Sequence, residues 1–336
     1  MLYSQKTPFS IHCYALYLLL LPLVFHFSAC KKHVPESEAT IILKAFDNEF
    51  INFANQIQNK RTYKSLISLA SAENVPLPFF ASISDEPGGL SYFNLQDRKG
   101  VYQIDPVRNE AIQTGLSDSI IIHFRDSSII DLPVKFIIAE YSEEPSSSKL
   151  MFPVRLNAAM YIGGKRVLSI DHTAIVEHTF PVELNLYMTL ENYSLETQLS
   201  TRLRKRHANL SIKSIVLKDE SVYVQWTTNA KLGYSEPGAF YFKRLNMNYS
   251  MFPVIFDIKV NNNAISRNAA SYIDEFTKHS KMFAYTKKDK RKLGEINLKC
   301  REGSDKLDYA IFFNNGSYVY IDDLLLSARE ILSVKL

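Results

Sequence analysis

The chain is poor in cysteine and in net charge. Of its 336 residues only 3 are cysteines, and 39 Lys and Arg against 35 Asp and Glu leave a net charge of +4. So few cysteines cannot form a disulfide framework, and stability must come from a hydrophobic core. The near balance of charge gives no reason to expect nucleic acid as a partner. Cys300 shares a predicted strand face with Ile296 and Leu298, so we interpret it as a buried thiol rather than a nucleophile.

The sequence also lacks the spacings of common catalytic and metal sites. It has no Gly-x-Ser-x-Gly motif, and Gly163-Gly164-Lys165 lacks the other glycine and the Lys-Ser/Thr end of a phosphate loop. His172 and His178 are six residues apart, which matches no short metal-binding spacing. Asp171 beside His172 leaves open an acid–base pair, against ordinary strand residues. We therefore predict a non-enzymatic protein without metal or cofactor.

One long apolar run stands near the start of the chain. Residues 13–27 are all apolar or aromatic except His26, and Lys6 precedes them. These 15 residues are too few to cross a hydrocarbon core of about 30 Å as a helix. Small residues follow at Ser28 and Ala29. The order of charged, apolar and small residues predicts a signal peptide over residues 1–29.

The end of this leader carries a recognisable motif. Phe27-Ser28-Ala29-Cys30 resembles the lipobox of bacterial lipoproteins, from which Phe27 departs because an aliphatic residue is preferred there. With Lys31-Lys32 after it, the segment is similar to leaders of uncharacterised Bacteroidota lipoproteins. The resemblance implies cleavage before Cys30 and acyl chains such as palmitate on its thiol, which hold a protein firmly when two or more are present. It implies a cell-envelope protein on the periplasmic face of the outer membrane. Plain secretion and an uncleaved anchor are the alternatives.

Helical periodicity follows the leader. Residues 30–40 are polar and predict a short lipid-anchored tether. In the segment 41–89, apolar residues recur at spacings of three and four from Ile42 through Phe46 to Ile57, which predicts an amphipathic helix. A second short helix is expected around residues 63–72.

From residue 90 the apolar period changes to two. The run from Val182 to Leu190 alternates apolar with polar residues, and so do several later runs. Such strands belong to antiparallel sheets with one polar face. Gly163-Gly164 and Asn315-Gly316 predict two-residue hairpins, the latter with a type I′ turn. Residues 90–262 are therefore expected to form an antiparallel β domain.

The C-terminal part mixes both periods. Residues 264–283 have a helical apolar stripe, a charged break covers residues 287–292, and a hairpin and a short helix over 322–332 follow. We expect an α/β cap over residues 264–336. The fold class is thus α+β, mostly antiparallel β-sheet with an N-terminal helix, as a curved half-barrel or a sandwich.

Two short resemblances lie in the middle of the chain. Gly100-Val101-Tyr102, Asp105-Pro106 and residues 120–124 are similar to a strand, turn and strand of Bacteroidota periplasmic lipoproteins of unknown function, over about 25 residues, and imply no activity. Asp118-Ser119-Ile120 is similar to the Bacteroidota O-glycosylation signal, which makes Ser119 a candidate glycosylation site. The alternative is a turn that enters the following strand.

Two basic clusters stand out against the balanced charge. One is at Arg202 and residues 204–206, and the other at residues 287–292. They are either solvated loops or, in a membrane-tethered protein, groups attracted to lipid phosphates.

Three functions remain open at this stage. The first is a non-catalytic envelope lipoprotein that binds an amphiphile, a peptide or a partner protein, which an open half-barrel would favour. The second is an envelope-polymer hydrolase, which a pocket joining Asp171, His172 and another carboxylate would favour. The third is a structural or adhesion module, which a closed, dry sandwich would favour.

Overall fold

The computed structural model describes residues 33–78, 93–125, 132–145, 151–178, 180–236, 239–265, 272–303 and 307–327. Its helices are α1 (Glu36–Gln58), α2 (Arg61–Ala70), α3 (Leu95–Arg98), α4 (Tyr272–His279) and α5 (Ile321–Leu324), with a 3₁₀ turn at Asn262–Ala264. Its strands are β1 (Gly100–Asp105), β2 (Glu110–Gly115), β3 (Ile120–Arg125), β4 (Pro133–Pro145), β5 (Met151–Ile162), β6 (Lys165–Glu177), β7 (Phe180–Leu190), β8 (Tyr193–Arg204), β9 (His207–Lys218), β10 (Ser221–Glu236), β11 (Ala239–Met251), β12 (Val254–Val260), β13 (Ser280–Thr286), β14 (Lys292–Cys300), β15 (Leu307–Phe312) and β16 (Tyr318–Tyr320).

All these strands belong to one sheet. From β3 to β16 each strand pairs antiparallel with the next one along the chain, whereas β1 lies between β2 and β3 and pairs parallel with β3. The sheet is not closed into a barrel, and β2 and β16 form its two edges. The predicted α+β class with a mostly antiparallel sheet and an N-terminal helix is confirmed. The described strands form a single open sheet rather than the two sheets of a sandwich.

Cross-strand register gives the sheet two chemically different faces. The apolar face is defined in the central strands by Leu184, Leu199 and Ile212, which lie directly opposite one another on β7, β8 and β9. The polar face is defined by Glu183, Ser200 and Ser211, one residue away on the same strands. Alternating side chains point to opposite faces of a strand, so the period-two pattern produces this division directly.

The first two helices cover part of the apolar face. α1 has 23 residues and is therefore about 34 Å long, enough to cross six or seven strands spaced about 4.8 Å apart. Its buried Leu43 and Phe46 belong to one core with β12, β13 and β14, while Phe53 contacts Tyr193 and Tyr223 at the starts of β8 and β10. α2 continues onto β1–β6, where Leu69 is buried in a second core.

Polar contacts fix α1 in place. The carboxylate of Asp47, which is 3% exposed, accepts hydrogen bonds from the backbone N–H groups of Leu326 and Ser327 at 2.8 and 3.0 Å, and one from the Ser327 hydroxyl. The Tyr223 hydroxyl donates to Glu49, and the Tyr193 hydroxyl donates to Gln56 at 2.7 Å. A buried carboxylate is tolerated here because protein donors replace the water that it loses.

Two boundaries differ from the sequence prediction at the N-terminal side. α1 begins at Glu36, and Val34 is 1% exposed with its N–H donating to the Lys292 carbonyl at 3.1 Å. The predicted tether over residues 30–40 is therefore wrong from residue 34 onward, because Val34 and the fully buried Ala39 pack on the sheet. Residues 1–32, including the predicted signal peptide and Cys30, lie outside the described residues.

The helix and the domain boundary predicted in the C-terminal part also differ from the structure. Within the described part of the predicted helical stretch 264–283, a helix is observed at Tyr272–His279, whereas Ser280–Thr286 forms β13 and buries alternate side chains. The sheet runs on through β16, so the boundary at residues 262–264 does not interrupt it.

The two predicted hairpins behave differently. Gly163 and Gly164 have φ values of 57° and 81°, as a two-residue turn between β5 and β6 requires. The Asn315-Gly316 type I′ turn is wrong, because only Gly316 has positive φ and the connection covers residues 313–317.

Replacing Asp47 tests how strongly α1 is fixed. Asp47→Ala should lower the free energy of unfolding by about 3 kcal/mol, because it leaves buried backbone donors without a partner. Asn48, the next and exposed residue on α1, supplies the control: Asn48→Ala should leave stability unchanged within about 0.5 kcal/mol. Urea unfolding followed by circular dichroism measures both. Equal stability of the two variants would contradict the role given to Asp47.

Candidate functional site

The sequence-predicted acid–base pair is not formed. Asp171 and His172 are neighbours on β6 and so point to opposite faces of the sheet. His172 is 9% exposed on the apolar face, where its Nε2 lies 2.9 Å from the Pro153 carbonyl. Asp171 is exposed on the polar face. His172 is therefore a hydrogen-bonded strand residue, as the alternative interpretation held, and it lies on the other face of the sheet from Asp171.

The remaining histidines are dispersed along the sheet. His123 is exposed on β3, His178 ends the β6–β7 region with a φ of 50°, and His279 lies 3.5 Å from Glu275 on α4. Among the residues that the structure describes, no group of three or more His, Cys, Asp and Glu side chains could hold a metal ion. Cys300 is exposed at the end of β14, so its expected burial is wrong.

Ser119 lies at the entrance to β3, as the turn interpretation holds. Its carbonyl accepts the Gly100 N–H at 3.0 Å, and its own N–H donates to the Ser117 hydroxyl at 3.1 Å. The Ser119 residue is half-buried. Its glycosylation stays a prediction.

The feature that sequence analysis missed is an ordered array of polar side chains on the polar face of β7–β11. Three cross-strand rows run across these strands. Counted from the end of the strands at the β8–β9 hairpin, the rows are Arg202, Asn209, Lys231 and Arg244; Glu183, Ser200, Ser211, Asn229 and Asn246; and Asn185, Gln198, Lys213, Thr227 and Asn248. Nearly all of these side chains are amides, hydroxyls or charged groups. They present many hydrogen-bonding groups to solvent from a rigid sheet.

A cleft of about 830 Å³ lies over the first two rows. We call it the polar cleft, and its polar lining is Glu177, Glu183, Ser200, Thr201, Arg202, Asn209, Ser211, Asn229, Lys231, Arg244 and Asn246. A second depression of about 400 Å³ continues over Asn185, Gln198 and Lys213. The volume of the polar cleft is within the range of ligand sites, about 300–1,000 Å³.

The polar side chains of the cleft are not paired with one another. Within the described part of the chain, none of them takes part in a hydrogen bond or an ion pair. This is unusual for the first row, where Arg202, Lys231 and Arg244 place three cations beside a single asparagine. We call these three residues the cation row. Lys231 and Arg244 lie directly opposite each other, an arrangement that destabilises a sheet when the charges are alike.

The pKa of His207 is lowered by partial burial and by nearby cations at this end of the sheet. Partial burial, followed by the charges of Lys231, Lys243 and Arg204, lowers the pKa of His207 below its ordinary 6.5. Three cations act on it, and no carboxylate is among the causes of the shift. Lys231 is the member of the cation row that contributes to this shift, beside Lys243 and Arg204.

On the apolar face, the same part of β7–β11 carries mostly aliphatic side chains. Leu184, Leu199, Ile212, Thr228 and Met247 form one cross-strand ladder, in which Thr228 is the polar member, and all are only partly exposed. Lateral packing within such a ladder hides part of each side chain. Nearer the helices, burial raises the pKa of Tyr249 to about 12. No helix of the described residues is both long and apolar enough to span a membrane.

The polar cleft could be found from the sequence only through strand register. Arg202, Lys231 and Arg244 are separated by 29 and 13 residues along the chain. Arg202 alone lay within a cluster that the sequence brought to attention. The one local signal was alternation with polar residues on β7 and β8, which indicated a wet face but not which residues align.

A pH titration of His207 tests the field of the cation row. The imidazole should titrate below pH 6.5, and Lys231→Ala should raise its pKa by removing a repelling charge. Lys213→Ala, on the same face but not among the causes of the shift, should leave it unchanged. Since folded His207 binds a proton less readily than the unfolded chain, its contribution to stability should be lost as the pH falls below 6.5. NMR of the imidazole protons gives the pKa; an unshifted value in the wild type would contradict the assignment.

The polar cleft presents charged and hydrogen-bonding groups that can hold a polar ligand. The polar cleft contains the carboxylates of Glu177 and Glu183 but no His, Cys, Ser–His pair or metal ligand set among its described lining residues. Its amides and cations can hold polar and anionic groups by hydrogen bonds and charge. No protein-family model, no curated protein and no solved structure matches this chain.

Proposed function

We propose that this chain is a lipid-anchored, non-catalytic protein of the cell envelope that binds an acidic peptide segment of a partner in its polar cleft. The observation that carries the proposal is the cation row of Arg202, Lys231 and Arg244, which has no ion-pair partner in the described part of the chain. Like charges in one row cost stability. A ligand that supplies carboxylates offsets that cost.

The chemistry of the cleft favours a polar, extended ligand. Next to the cation row, Ser200, Ser211, Asn229 and Asn246 supply donors and acceptors within the same cleft. The second depression extends this surface by another row. An extended chain with acidic groups at one end and hydrogen-bonding groups along its length matches this order of side chains.

Recognition here must come from side chains. β7 to β11 are each paired on both sides, so their main-chain donors and acceptors are used within the sheet. A peptide therefore cannot join the sheet at this place as an added strand. In the cleft, cations would attract the carboxylates of a peptide, and amides would orient it by hydrogen bonds.

An amphiphile fits this cleft less well than a peptide. Its lining consists of two carboxylates, three cations, three amides and three hydroxyls together with the apolar Val182, Leu203, Leu210 and Ala230, and no aromatic side chain lines it. The apolar ladder of Leu184, Leu199 and Ile212 lies on the other face. Acyl chains need an apolar cavity to gain free energy from burial, and in this cleft four apolar residues lie among eleven polar ones.

The lipid anchor is supported by the leader and its lipobox. Phe27-Ser28-Ala29-Cys30 places a thiol directly after an apolar run of signal-peptide length. Acyl chains on Cys30 would tether the sheet to the envelope, with the periplasmic face of the outer membrane as the proposed location. Plain secretion is the alternative.

Binding of an acidic peptide is measured directly by fluorescence anisotropy with a labelled oligo-glutamate probe. The wild type should bind it more tightly than an oligo-lysine or a neutral Ser/Asn peptide, and binding should weaken as salt rises. Lys231→Glu with Arg244→Glu should weaken binding by at least about tenfold, because the change turns attraction into repulsion.

A matched charge reversal provides the control for this experiment. Lys165 and Arg166 are exposed on the β5–β6 hairpin, outside the cleft. Lys165→Glu with Arg166→Glu alters the net charge by the same amount and should leave the affinity unchanged. Equal loss in both double variants would show attraction to net charge alone, and no preference for oligo-glutamate would disprove the acidic ligand.

Lipidation is tested by metabolic labelling. Cells given a radioactive or clickable fatty acid should label the wild-type protein, and Cys30→Ser should lose the label and remain unprocessed. Cys300→Ser should be labelled as the wild type is, since that cysteine lies on the folded sheet. Undiminished label on the Cys30→Ser protein would contradict the anchor.

A further inference from the structure

The described chain begins at one particular place on the rim of the sheet. Strand direction puts the hairpins at Glu191-Asn192, Asp219-Glu220 and residues 287–291 on one edge, which we call the basal rim. The N–H of Val34 donates to the carbonyl of Lys292, the first residue of β14. Val34, four positions after Cys30, is therefore held beside the β13–β14 turn.

Little chain separates this point from Cys30. Three residues lie between Cys30 and Val34, and the four residue-to-residue steps of a fully extended chain reach at most about 14 Å. Val34 itself is fixed, because it is 1% exposed and hydrogen-bonded to the sheet. An acylated Cys30 would therefore hold the β13–β14 turn within about 14 Å of the headgroups.

The surface at this point is basic and partly apolar. Lys287, Lys288 and Lys290 occupy the β13–β14 turn, and none of them forms an ion pair in the described part of the chain. The N–H of Lys287 donates to the Pro253 carbonyl at 2.7 Å, which brings the β11–β12 turn alongside. Phe252 on that turn is 65% exposed. We call these four residues the basal patch.

The carboxylates near the patch already accept hydrogen bonds from other residues. Asp289 accepts from the Thr286 hydroxyl and from Arg291 Nε at 2.6 Å. Glu38 accepts from Arg291 at 2.9 Å, and Glu36 accepts from Asn315 at 2.7 Å. Glu220 is exposed on the same rim, but the β11–β12 turn lies between the hairpin of Glu220 and the β13–β14 turn that carries the three lysines. No ion pair within the described part of the chain therefore neutralises the three lysines, and they are available to anionic groups outside the fold.

We infer that the basal patch docks on the anionic headgroups of the bilayer that holds the acyl chains of Cys30. This inference rests on the lipid anchor of the proposed function. A lysine near an anionic membrane surface contributes about a fivefold factor to attraction, and the effect decays over a Debye length of about 8 Å. The short connection keeps all three lysines close to that range. Phe252 places an aromatic ring at the interface, where such rings are favoured.

Docking has a consequence for orientation. If the basal rim rests on the bilayer, the strands stand away from it, and Cys300 lies at the far end of the nine-residue β14, about 30 Å from Lys292. Cys300 is exposed and carries a native thiol for a fluorophore. Its distance from the membrane therefore reports whether the patch is docked.

The experiment uses the full lipidated protein, labelled at Cys300, in phosphatidylcholine vesicles with or without phosphatidylglycerol. Energy transfer to a headgroup-labelled lipid should be low when phosphatidylglycerol is present, because the sheet is held upright. It should rise without the anionic lipid, at high salt, and in the triple variant Lys287→Glu, Lys288→Glu and Lys290→Glu. The control variant Arg204→Glu, Lys205→Glu and Arg206→Glu reverses three charges on the opposite rim and should behave as the wild type.

Each outcome decides the inference. Transfer that is independent of phosphatidylglycerol and of the basal-patch charges overturns it, as does a response of the control variant alone. Loss of the phosphatidylglycerol effect in the basal-patch variant alone, with unfolding by urea unchanged, supports it. Protein that carries no acyl chain and does not stay with vesicles contradicts the anchor itself, which separates failure of the proposed function from failure of docking.

Discussion

The apolar stripe of α1, held by the carboxylate of Asp47, is the contact on which the rest of the fold depends. A single sheet buries nothing by itself, since both of its faces are open until another element covers one. α1 covers the apolar face at β12–β14 through Leu43 and Phe46 and reaches β8 and β10 through Phe53. Asp47 joins this helix to residues 326 and 327, so the two ends of the described chain are secured by the same side chain.

The dimensions of that helix explain why the centre of the sheet remains open. A helix with its side chains is about 10 Å wide, whereas β10 with 16 residues is about 53 Å long. One helix can therefore cover only a band of the apolar face. Beyond it the strands are held by their neighbours and by ladders such as Leu184, Leu199 and Ile212. The polar face there is free to carry side chains that serve a ligand rather than the core.

Much of this fold follows from the sequence, and the reasons for the exceptions are physical. Period-two alternation and the Gly163-Gly164 turn predicted antiparallel hairpins, and the spacing of Ile42, Phe46 and Ile57 predicted α1. β13 was missed because Ser280 and Thr286 occupy two of its buried positions, which hides the alternation. The polar cleft depends on the register of the five strands β7–β11, and a one-residue slip would send every one of its cations to the other face. Local pattern does not contain that information.

The two basic regions of the chain acquire different roles when the anchor and the sheet are considered together. The basal patch and the cation row are at opposite ends of the strands, and Arg202 is the tenth residue of β8, about 30 Å from its basal start. That separation exceeds the Debye length about fourfold, so lipid headgroups beneath the basal rim cannot neutralise the cation row. A protein that used all its cations for the membrane would have no reason to keep three of them in one row so far from it. On the proposal that an acidic peptide binds the polar cleft, its carboxylates would offset the repulsion between Lys231 and Arg244 at the end of the strands opposite the basal rim.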